Sequence, residues 1–232
     1  MKFGVVTIGS RGDVEPFIAL GKELHRRGHK LRIATFDDCK GDIIANGLDY
    51  QKLAGSGREV LRLLIGENVS AAMYMKNLNV LLESVKDEFL RDVERACDGV
   101  DAVLYSFLGS VVFHVAQKRE IPCFRVLFFP MDPTGDWPVM TVPQLPFGSI
   151  YNKVTYKASD LVFSEFTYRQ LGDWRVSLGL ERLGRFSFNY RESINKPVTT
   201  LYPISPTVME KPKEWGPNTH LTDPLGVWLS FM

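Results

Sequence analysis

The sequence predicts an α/β fold, a Rossmann-like parallel sheet flanked by helices on both faces. Two observations predict it. Short, continuously apolar runs are typical of strands that are buried on both faces, and stretches with helical spacing of apolar residues separate these runs. The 232 residues are 45% apolar and 24% charged, so the chain is able to bury a core. This length suits one domain, or one domain and the start of another.

The first elements alternate between strand and helix. The apolar run "FGVVTI" at 3–8 predicts the first strand. A helix follows, in which apolar residues recur at helical spacing until Gly28 ends it. Strands are predicted at 30–35 and 49–53, with a short helix near 40–46 between them. These units place the first strands side by side in a parallel sheet.

The alternation continues to about residue 129, where the composition changes. The pattern predicts a helix at 73–96, a strand at 102–106, a helix near 109–119, a strand at 123–129, a helix at about 149–178 and short strands at 199–206 and 219–223. Between the fifth strand and the last helix, residues 129–148 include five prolines. This stretch cannot form a regular element. A long irregular loop in a compact domain is usually functional.

Charge and cysteine usage exclude several classes of protein. The net charge of +1 gives no basic surface for a nucleic-acid partner. Cys39, Cys97 and Cys123 lie too far apart for a zinc site or a disulfide framework, so we expect reduced thiols and a cytoplasmic location. The first apolar run is too short for a signal peptide. The longest uncharged stretch, 102–117, is shorter than the roughly 20 residues of a transmembrane helix.

The turn "GSRGD" at 9–13 is the main candidate for chemistry, because ligands of parallel sheets bind at the carboxyl ends of strands. The dinucleotide-binding pattern G-x-G-x-x-G is absent here. Asp37 and Asp38 end the second strand, where a ribose-binding acid would lie, but Asp13 would repel a pyrophosphate. A nicotinamide cofactor is therefore disfavoured. From the residues alone, Asp13 is either a helix cap or a functional carboxylate, and Arg11 is either a ligand or a solvated turn residue.

A series of segments carries a resemblance to a known family. In chain order they are "GSRGDVEPFIALGKELHRRGHKLRIAT", "GLDYQKLAG", "DAVLYSFLGSVVFHVAQKREIPCFRV", "YNKVTYKASDLVF", "WRVSLGL" and "LYPISPTVMEKPKEWGPNTHLTD". Together they closely resemble the glycosyltransferases that include the sterol glucosyltransferases and the enzymes that glycosylate glycopeptide and macrolide antibiotics. The resemblance covers nearly the whole chain.

The resemblance implies a domain organisation. Members of the family have the GT-B fold, in which two Rossmann-like domains face each other across a cleft. The N-terminal domain binds the acceptor, and the C-terminal domain binds the nucleotide sugar. We therefore expect residues 1–232 to form a single Rossmann-like acceptor-binding domain whose last ~20 residues resemble the start of the interdomain linker. The donor-binding domain is expected to be missing or supplied by a separate chain.

The resemblance also implies roles for the turn. Asp13 would be the general base of an inverting transfer of a hexose to an acceptor hydroxyl. Ser10, Arg11 and Gly12 would lie on the side of the donor diphosphate. No metal and no cofactor are implied, because the helix N-terminus can meet the charge of the leaving group. The co-substrate would be a nucleotide sugar, a UDP- or TDP-hexose.

The acceptor is expected to be a hydrophobic small molecule such as a sterol, a lipid, a polyketide or a glycopeptide. We predict that two segments, 61–75 and 128–147, line its pocket, because both are richer in apolar residues than solvated loops need. The residues concerned are Leu64, Met73, Met75, Phe128, Phe129, Met131, Trp137, Met140 and Phe147. Two alternatives stay open. The segments could pack as ordinary core, and the chain could be a non-catalytic binding module or a subunit that pairs with a donor-binding chain.

Overall fold

The computed structural model of the chain describes residues 1–58, 71–185, 192–193 and 196–222. Nine strands and five helices lie in these residues. The strands are β1 (Lys2–Val6), β2 (Lys30–Thr35), β3 (Asp49–Lys52), β4 (Ala102–Tyr105), β5 (Cys123–Val126), β6 (Glu192–Ser193), β7 (Lys196–Pro197), β8 (Thr199–Tyr202) and β9 (Thr219–Leu221). The helices are α1 (Arg11–Arg26), α2 (Lys40–Ala45), α3 (Ala71–Ala96), α4 (Val112–Arg119) and α5 (Gly148–Ser177).

Seven strands form one sheet in the order β3-β2-β1-β4-β5-β8-β9. The pairings of β1 with β2 and β4, of β2 with β3, and of β8 with β9 are parallel. In the centre, Val5 lies opposite Ile33 on one side and Leu104 on the other, and Val5 and Ile33 are fully buried. The predicted parallel sheet with flanking helices is confirmed.

The chain divides into two compact units. The first is built mainly from residues 1–116 and the second mainly from residues 125–223. In the first unit, α1 buries Val14, Phe17 and Ile18. The helix stops where predicted, because Gly28 takes a φ of +79° that other residues rarely adopt.

The proline-rich segment belongs to the second unit and contains no helix or strand up to Phe147, as predicted, and Gly148 is the first residue of α5. It runs along the N-terminal half of α5, to which hydrogen bonds attach it. The amide of Val139 donates to Thr155 Oγ1 at 2.9 Å, and the hydroxyl of Tyr151 donates to the carbonyl oxygen of Pro143 at 2.9 Å. The irregular backbone is therefore held by side chains of the helix rather than by a ladder.

Two strands are shorter than their apolar runs. The prediction extended β1 to Ile8, but the strand ends at Val6, because the amide of Ile8 turns to the Ser106 hydroxyl at 3.4 Å. The prediction extended β5 to Phe129, but it ends at Val126. Leu127 makes the last bond to the neighbouring strand, to the carbonyl oxygen of Leu201 at 3.0 Å. Apolar residues continue past both strands, so the sequence pattern overestimates their length.

Two of the three cysteines, Cys97 and Cys123, are buried, whereas Cys39 is half-buried. Cys39, Cys97 and Cys123 are free thiols. His114 is 1% exposed and belongs to the core. Of the helices in the residues listed above as described, none has the length and hydropathy that crossing a bilayer requires.

Candidate functional site

The connection between β1 and α1 is the centre of the candidate site in the first unit. Residues 9–13 leave the carboxyl end of the central strand and start the helix. Ser10 is the N-terminal cap residue of α1, with an extended backbone (φ −80°, ψ 178°), and Asp13 lies in the first helical turn. Strand ends and helix N-termini of this kind are where parallel sheets bind ligands.

The carboxylate of Asp13 is held by Ser10 through one of its two oxygens. The backbone amide of Ser10 donates to Asp13 Oδ2 at 2.7 Å, and the hydroxyl of Ser10 donates to the same oxygen at 3.1 Å. In the part of the chain that the structure describes, no hydrogen bond reaches Oδ1. Oδ2 therefore caps the helix. Oδ1 is the oxygen that is available to a ligand.

Gly9 permits this arrangement. Its φ is +150°, in the range that favours glycine, and a Cβ atom at this position would collide with Asp13 Oδ2. Any other residue at position 9 would strain the backbone and displace the carboxylate. Gly9 therefore leaves the space that the carboxylate of Asp13 occupies.

The hydroxyl groups of two buried residues hold the turn at residues 9–13 in place. The hydroxyl of Thr7 donates to the carbonyl oxygen of Asp13 at 3.0 Å, and Thr7 Oγ1 lies 3.0 Å from Ser106 Oγ. Thr7 and Ser106 are almost completely buried. They join the ends of β1 and β4 to the first turn of α1. Sequence reasoning missed this pair, because the two residues lie 99 positions apart.

The residues predicted to face the donor diphosphate are on the surface. Ser10, Arg11 and Gly12 are exposed. Arg11 Nη2 lies 3.0 Å from Glu15 Oε1 and 3.7 Å from Asp42 Oδ2, and its side chain is 72% exposed. The hydrogen bond with Glu15 raises the pKa of Arg11. Surface pairs of this kind are weak, so a bound anion could replace them.

The carboxylates that end β2 have structural contacts. Asp37 Oδ1 accepts a hydrogen bond from the Tyr50 hydroxyl at 2.9 Å, which lowers the pKa of Asp37. Asp38 Oδ2 accepts a hydrogen bond from the amide of Gly57 at 3.1 Å. Both side chains therefore shape the connections around the turn. Among the residues described, no group of three or more His, Cys, Asp or Glu side chains could hold a metal ion.

The residues predicted to bind the acceptor have different environments. Leu64 lies outside the described residues, and for Met73 and Met75 only the position in α3 is described. In the second unit, Phe128, Phe129, Met131 and Trp137 are half-buried, whereas Met140 and Phe147 are exposed. The ring of Trp137 packs edge-on against Trp215 at 6.4 Å between centroids. Their role in acceptor binding stays a prediction.

A buried polar network secures the start of the proline-rich segment. The Tyr202 hydroxyl accepts hydrogen bonds from the amides of Met131 (3.2 Å) and Asp132 (3.0 Å) and donates to Asp132 Oδ2 at 2.9 Å. Arg125 Nη2 lies 2.5 Å from Asp132 Oδ1. Burial raises the pKa of Tyr202, so its hydroxyl stays a donor. This network was not predicted, since Tyr202 and Asp132 lie 70 residues apart.

A cavity of about 660 Å³ opens beside this network. Its walls include Arg125, Lys153, Tyr156, Lys157, Thr200 and Trp215. None of the described residues that were predicted to bind the acceptor lines this cavity. Its charged groups offset each other, because Asp132, Asp160 and Glu214 also line it.

A comparison with known protein families identifies the family of this chain. Residues 3–134, more than half of the chain, match the family described as the glycosyltransferase family 28 N-terminal domain. The chain belongs to this family. The turn with Asp13 and the buried pair beneath it lie inside the matched residues of this family 28 domain.

The similarity of this chain to curated relatives covers more of its length than residues 3–134. The chain is 32% identical over 216 residues to a sterol 3-beta-glucosyltransferase of Yarrowia lipolytica, a match that covers 93% of this chain and 15% of the relative. It is 33% identical over 208 residues to a sterol 3-beta-glucosyltransferase of Pichia angusta, covering 89% of this chain and 16% of the relative. The chain thus spans about one sixth of the length of the relatives it matches.

Solved structures of antibiotic glycosyltransferases share the fold. The glycosyltransferase of kitacinnamycin superimposes with a TM-score of 0.62 at 16% identity, over 96% of this chain and 51% of that chain. The calicheamicin glycosyltransferase superimposes with a TM-score of 0.60 at 17% identity, over 96% of this chain and 52% of that chain. At this identity the likeness shows the fold, the Rossmann-like sheet of GT-B glycosyltransferases.

Proposed function

We propose that this family 28 domain is the acceptor-binding part of an inverting, metal-independent glycosyltransferase. It binds a hydrophobic alcohol and presents its hydroxyl group to a nucleotide sugar. Membership of the family supports glycosyl transfer. The relatives' names support a sterol as the acceptor. The observation that carries the proposal is the carboxylate of Asp13 at the carboxyl end of the central strand. Both of its hydrogen bonds from Ser10 go to Oδ2, so Oδ1 is left for the acceptor.

In the proposed reaction, Asp13 Oδ1 takes the proton of the acceptor hydroxyl. The hydroxyl oxygen forms a bond to the anomeric carbon of the sugar while the bond from that carbon to the diphosphate oxygen breaks. The diphosphate leaves with the electron pair, and the configuration at the anomeric carbon inverts. The two hydrogen bonds from Ser10 to Oδ2 fix the direction of Oδ1, which is what a general base needs.

The proposal assigns the charge of the leaving diphosphate to the start of α1. A helix N-terminus carries a partial positive charge and unpaired amides. Ser10, Arg11 and Gly12 are exposed there, and the ion pairs of Arg11 are solvated. With these groups the leaving diphosphate needs no metal ion, so we expect sugar transfer to continue in the presence of a chelator.

A second candidate function is a non-catalytic binding module. The hydrogen bonds that Asp13 accepts from Ser10 favour this candidate. The same bonds cap helices in proteins that have no catalytic activity. In this case the domain would bind a hydrophobic small molecule or pair with a donor-binding chain, and Asp13 would only stabilise α1.

Ligand binding to the 232-residue chain tests the proposal. We expect a saturable thermal shift with a sterol, a long-chain alcohol or a polyketide aglycone, and a smaller shift with the matching ketone. The ketone has the same apolar body but no hydroxyl proton to donate to Asp13 Oδ1. Equal shifts for alcohol and ketone would favour the binding module. No shift with any of the three classes would contradict acceptor binding and would leave only a module that pairs with a donor-binding chain.

A further inference from the structure

The cavity of about 660 Å³ beside the Tyr202 network is not used by the proposed sugar transfer. Arg125 of β5, Thr200 of β8 and Thr219 of β9 line it from the sheet, and the N-terminal half of α5 lines it from the helix. All of its lining residues belong to the second unit. A volume of this size is typical of small-molecule sites and holds a ligand of about two or three rings.

A rigid aromatic wall closes one side of the cavity. Trp215 is 6% exposed, and its ring stacks on that of Tyr202 at 4.4 Å between centroids. Trp137 packs edge-on against the same ring, and the indole N–H of Trp215 donates to the carbonyl oxygen of Asp132 at 3.3 Å. Because these contacts fix the ring, it gives the cavity a flat apolar surface that suits an aromatic ligand. Further apolar lining comes from Pro133, Val198 and Pro217.

Two of the three basic residues in the lining already have a carboxylate partner. Arg125 is 9% exposed, and its Nη2 atom lies 2.5 Å from Asp132 Oδ1. Lys153 Nζ lies 3.2 Å from Glu214 Oε1. An anion that bound to either cation would have to displace a carboxylate, and at the buried pair this would leave Asp132 charged and unpaired. Neither cation is therefore the point at which an anionic ligand binds.

Lys157 is the third basic residue of the lining, and it is exposed. In the part of the chain that the structure describes, it forms no hydrogen bond and no ion pair. Asp160 also lines the cavity, but it has another partner. The ammonium group of Lys157 is therefore able to receive an anion without displacing a carboxylate. Next to an apolar wall, this attraction is stronger than at an open surface, because less water screens it.

We propose that this cavity binds a flat aromatic monoanion. The rings lie against Trp215, and the anionic group pairs with the ammonium group of Lys157. A neutral alcohol would leave Lys157 unpaired, so this ligand differs in chemistry from the proposed acceptor. The inference does not depend on sugar transfer, because none of the described residues predicted to bind the acceptor lines the cavity.

Isothermal titration calorimetry with the full chain tests the site. The two probes are biphenyl-4-carboxylate and biphenyl-4-carboxamide, which share the aromatic body and differ in charge. We expect the carboxylate to bind at one saturable site, and the amide to bind about fivefold more weakly, because it gains no ion pair with Lys157. Salt should weaken the binding of the carboxylate and leave that of the amide unchanged.

Gly216→Leu tests the location of the site. Gly216 lines the cavity, its φ lies outside the range that favours glycine, and a Cβ atom there would meet no atom within 4 Å. The variant should therefore fold normally. Its side chain takes up ligand space, so the affinity for the carboxylate should fall by at least about tenfold. Gly41→Leu is the matched control, because a Cβ atom there also meets no atom within 4 Å, but Gly41 lies in α2 of the first unit.

Lys157→Gln tests the charge. It should lower the affinity for the carboxylate to that for the amide and leave the affinity for the amide unchanged. Lys22→Gln is the control, since Lys22 is also exposed but lies in α1 of the first unit. It should bind both probes like the natural chain.

Three results would overturn the proposal. The first is no saturable binding of the carboxylate to the natural chain. The second is equal affinity of the natural chain and Gly216→Leu for the carboxylate, with circular dichroism showing that both are folded. The third is equal affinity of the natural chain for the carboxylate and the amide, because Lys157 would then receive no anion.

Discussion

At the scale of single residues, Asp13 uses its two carboxylate oxygens for different purposes. Oδ2 accepts both hydrogen bonds from Ser10, and Gly9 leaves the space that this oxygen occupies. Oδ1 is the oxygen that the proposed reaction needs. The capping role and the catalytic role are therefore compatible, and substitutions that affect only one of them can separate them.

The substitution Asp13→Asn separates the two roles. The asparagine side-chain oxygen still accepts the hydrogen bond from the Ser10 amide, so the free energy of unfolding should change little. The amide cannot take a proton. In a complete glycosyltransferase that contains this domain, we expect the rate of sugar transfer to fall by about a hundredfold or more. Steady-state kinetics with a nucleotide sugar and denaturant unfolding measure the two effects.

The control for this prediction is Asp13→Ala, which removes both roles. It should lose the same activity and also about 1 kcal/mol of stability, the usual contribution of a helix cap. If Asp13→Asn transfers sugar at the normal rate while Asp13→Ala is destabilised, Asp13 is a cap alone.

At the scale of secondary-structure elements, the strands and helices were predictable but the contacts between distant segments were not. The alternation of apolar runs and helical patterns identified β1 to β5 and α1 to α5, because each depends on local periodicity. The turn with Asp13 was identifiable from a short motif. Ser106 and Tyr202 were not, since each acts on a partner 70 or more positions away and neither has a distinctive neighbourhood in the sequence.

The hydroxyl group of Tyr202 is expected to determine the order of the proline-rich segment. Tyr202→Phe keeps the ring that stacks on Trp215 at 4.4 Å between centroids, but leaves the half-buried amide of Met131 and the buried amide of Asp132 without this acceptor. We expect a loss of about 1–3 kcal/mol in the free energy of unfolding. Hydrogen exchange of residues 131–136 should become faster.

Tyr151→Phe is the matched control for this variant. It also removes one tyrosine hydroxyl, but its hydrogen bond to Pro143 is exposed to solvent. Its effect on stability should be within about 0.5 kcal/mol. Equal effects of the two variants would mean that the buried network does not hold the segment.

An acidic residue in α5, Glu165, makes the stability of the folded chain depend on pH. Hydrogen bonds from Arg185 and Arg169 lower the pKa of Glu165 to about 2. The unfolded chain binds this proton at about pH 4.3. The ion pairs therefore contribute fully above about pH 4.3, and the contribution is lost as the pH falls towards about 2. Denaturation midpoints measured from pH 6 to pH 3 should decline less steeply in Glu165→Gln than in the natural chain.

The same substitution should leave the midpoint above pH 6 only slightly lower, since both arginine pairs are solvated. The variant Glu210→Gln serves as the comparison, because Glu210 lies outside this cluster. A profile of Glu165→Gln that coincides with that of the natural chain down to pH 3 would contradict the assigned role of the arginine pairs.

At the scale of the whole molecule, the relation to longer relatives limits what these residues do alone. The solved glycosyltransferases are about twice as long as the part that matches, since the match covers 51% and 52% of their chains. We expect the 232 residues tested alone to bind an acceptor but to release no UDP from UDP-glucose. A coupled assay for UDP measures this, and turnover above the background of a heat-denatured sample would contradict the expectation.

The hydroxyl of Tyr202 also sets an order of events during protein synthesis. It lies 70 residues after Asp132, whose backbone and carboxylate it holds. At about 5–20 residues per second, a ribosome needs roughly 4–14 seconds to cover that distance. During this interval the amides of Met131 and Asp132 lack the acceptor that the Tyr202 hydroxyl supplies. The second unit therefore completes this network only after Tyr202 has been synthesised.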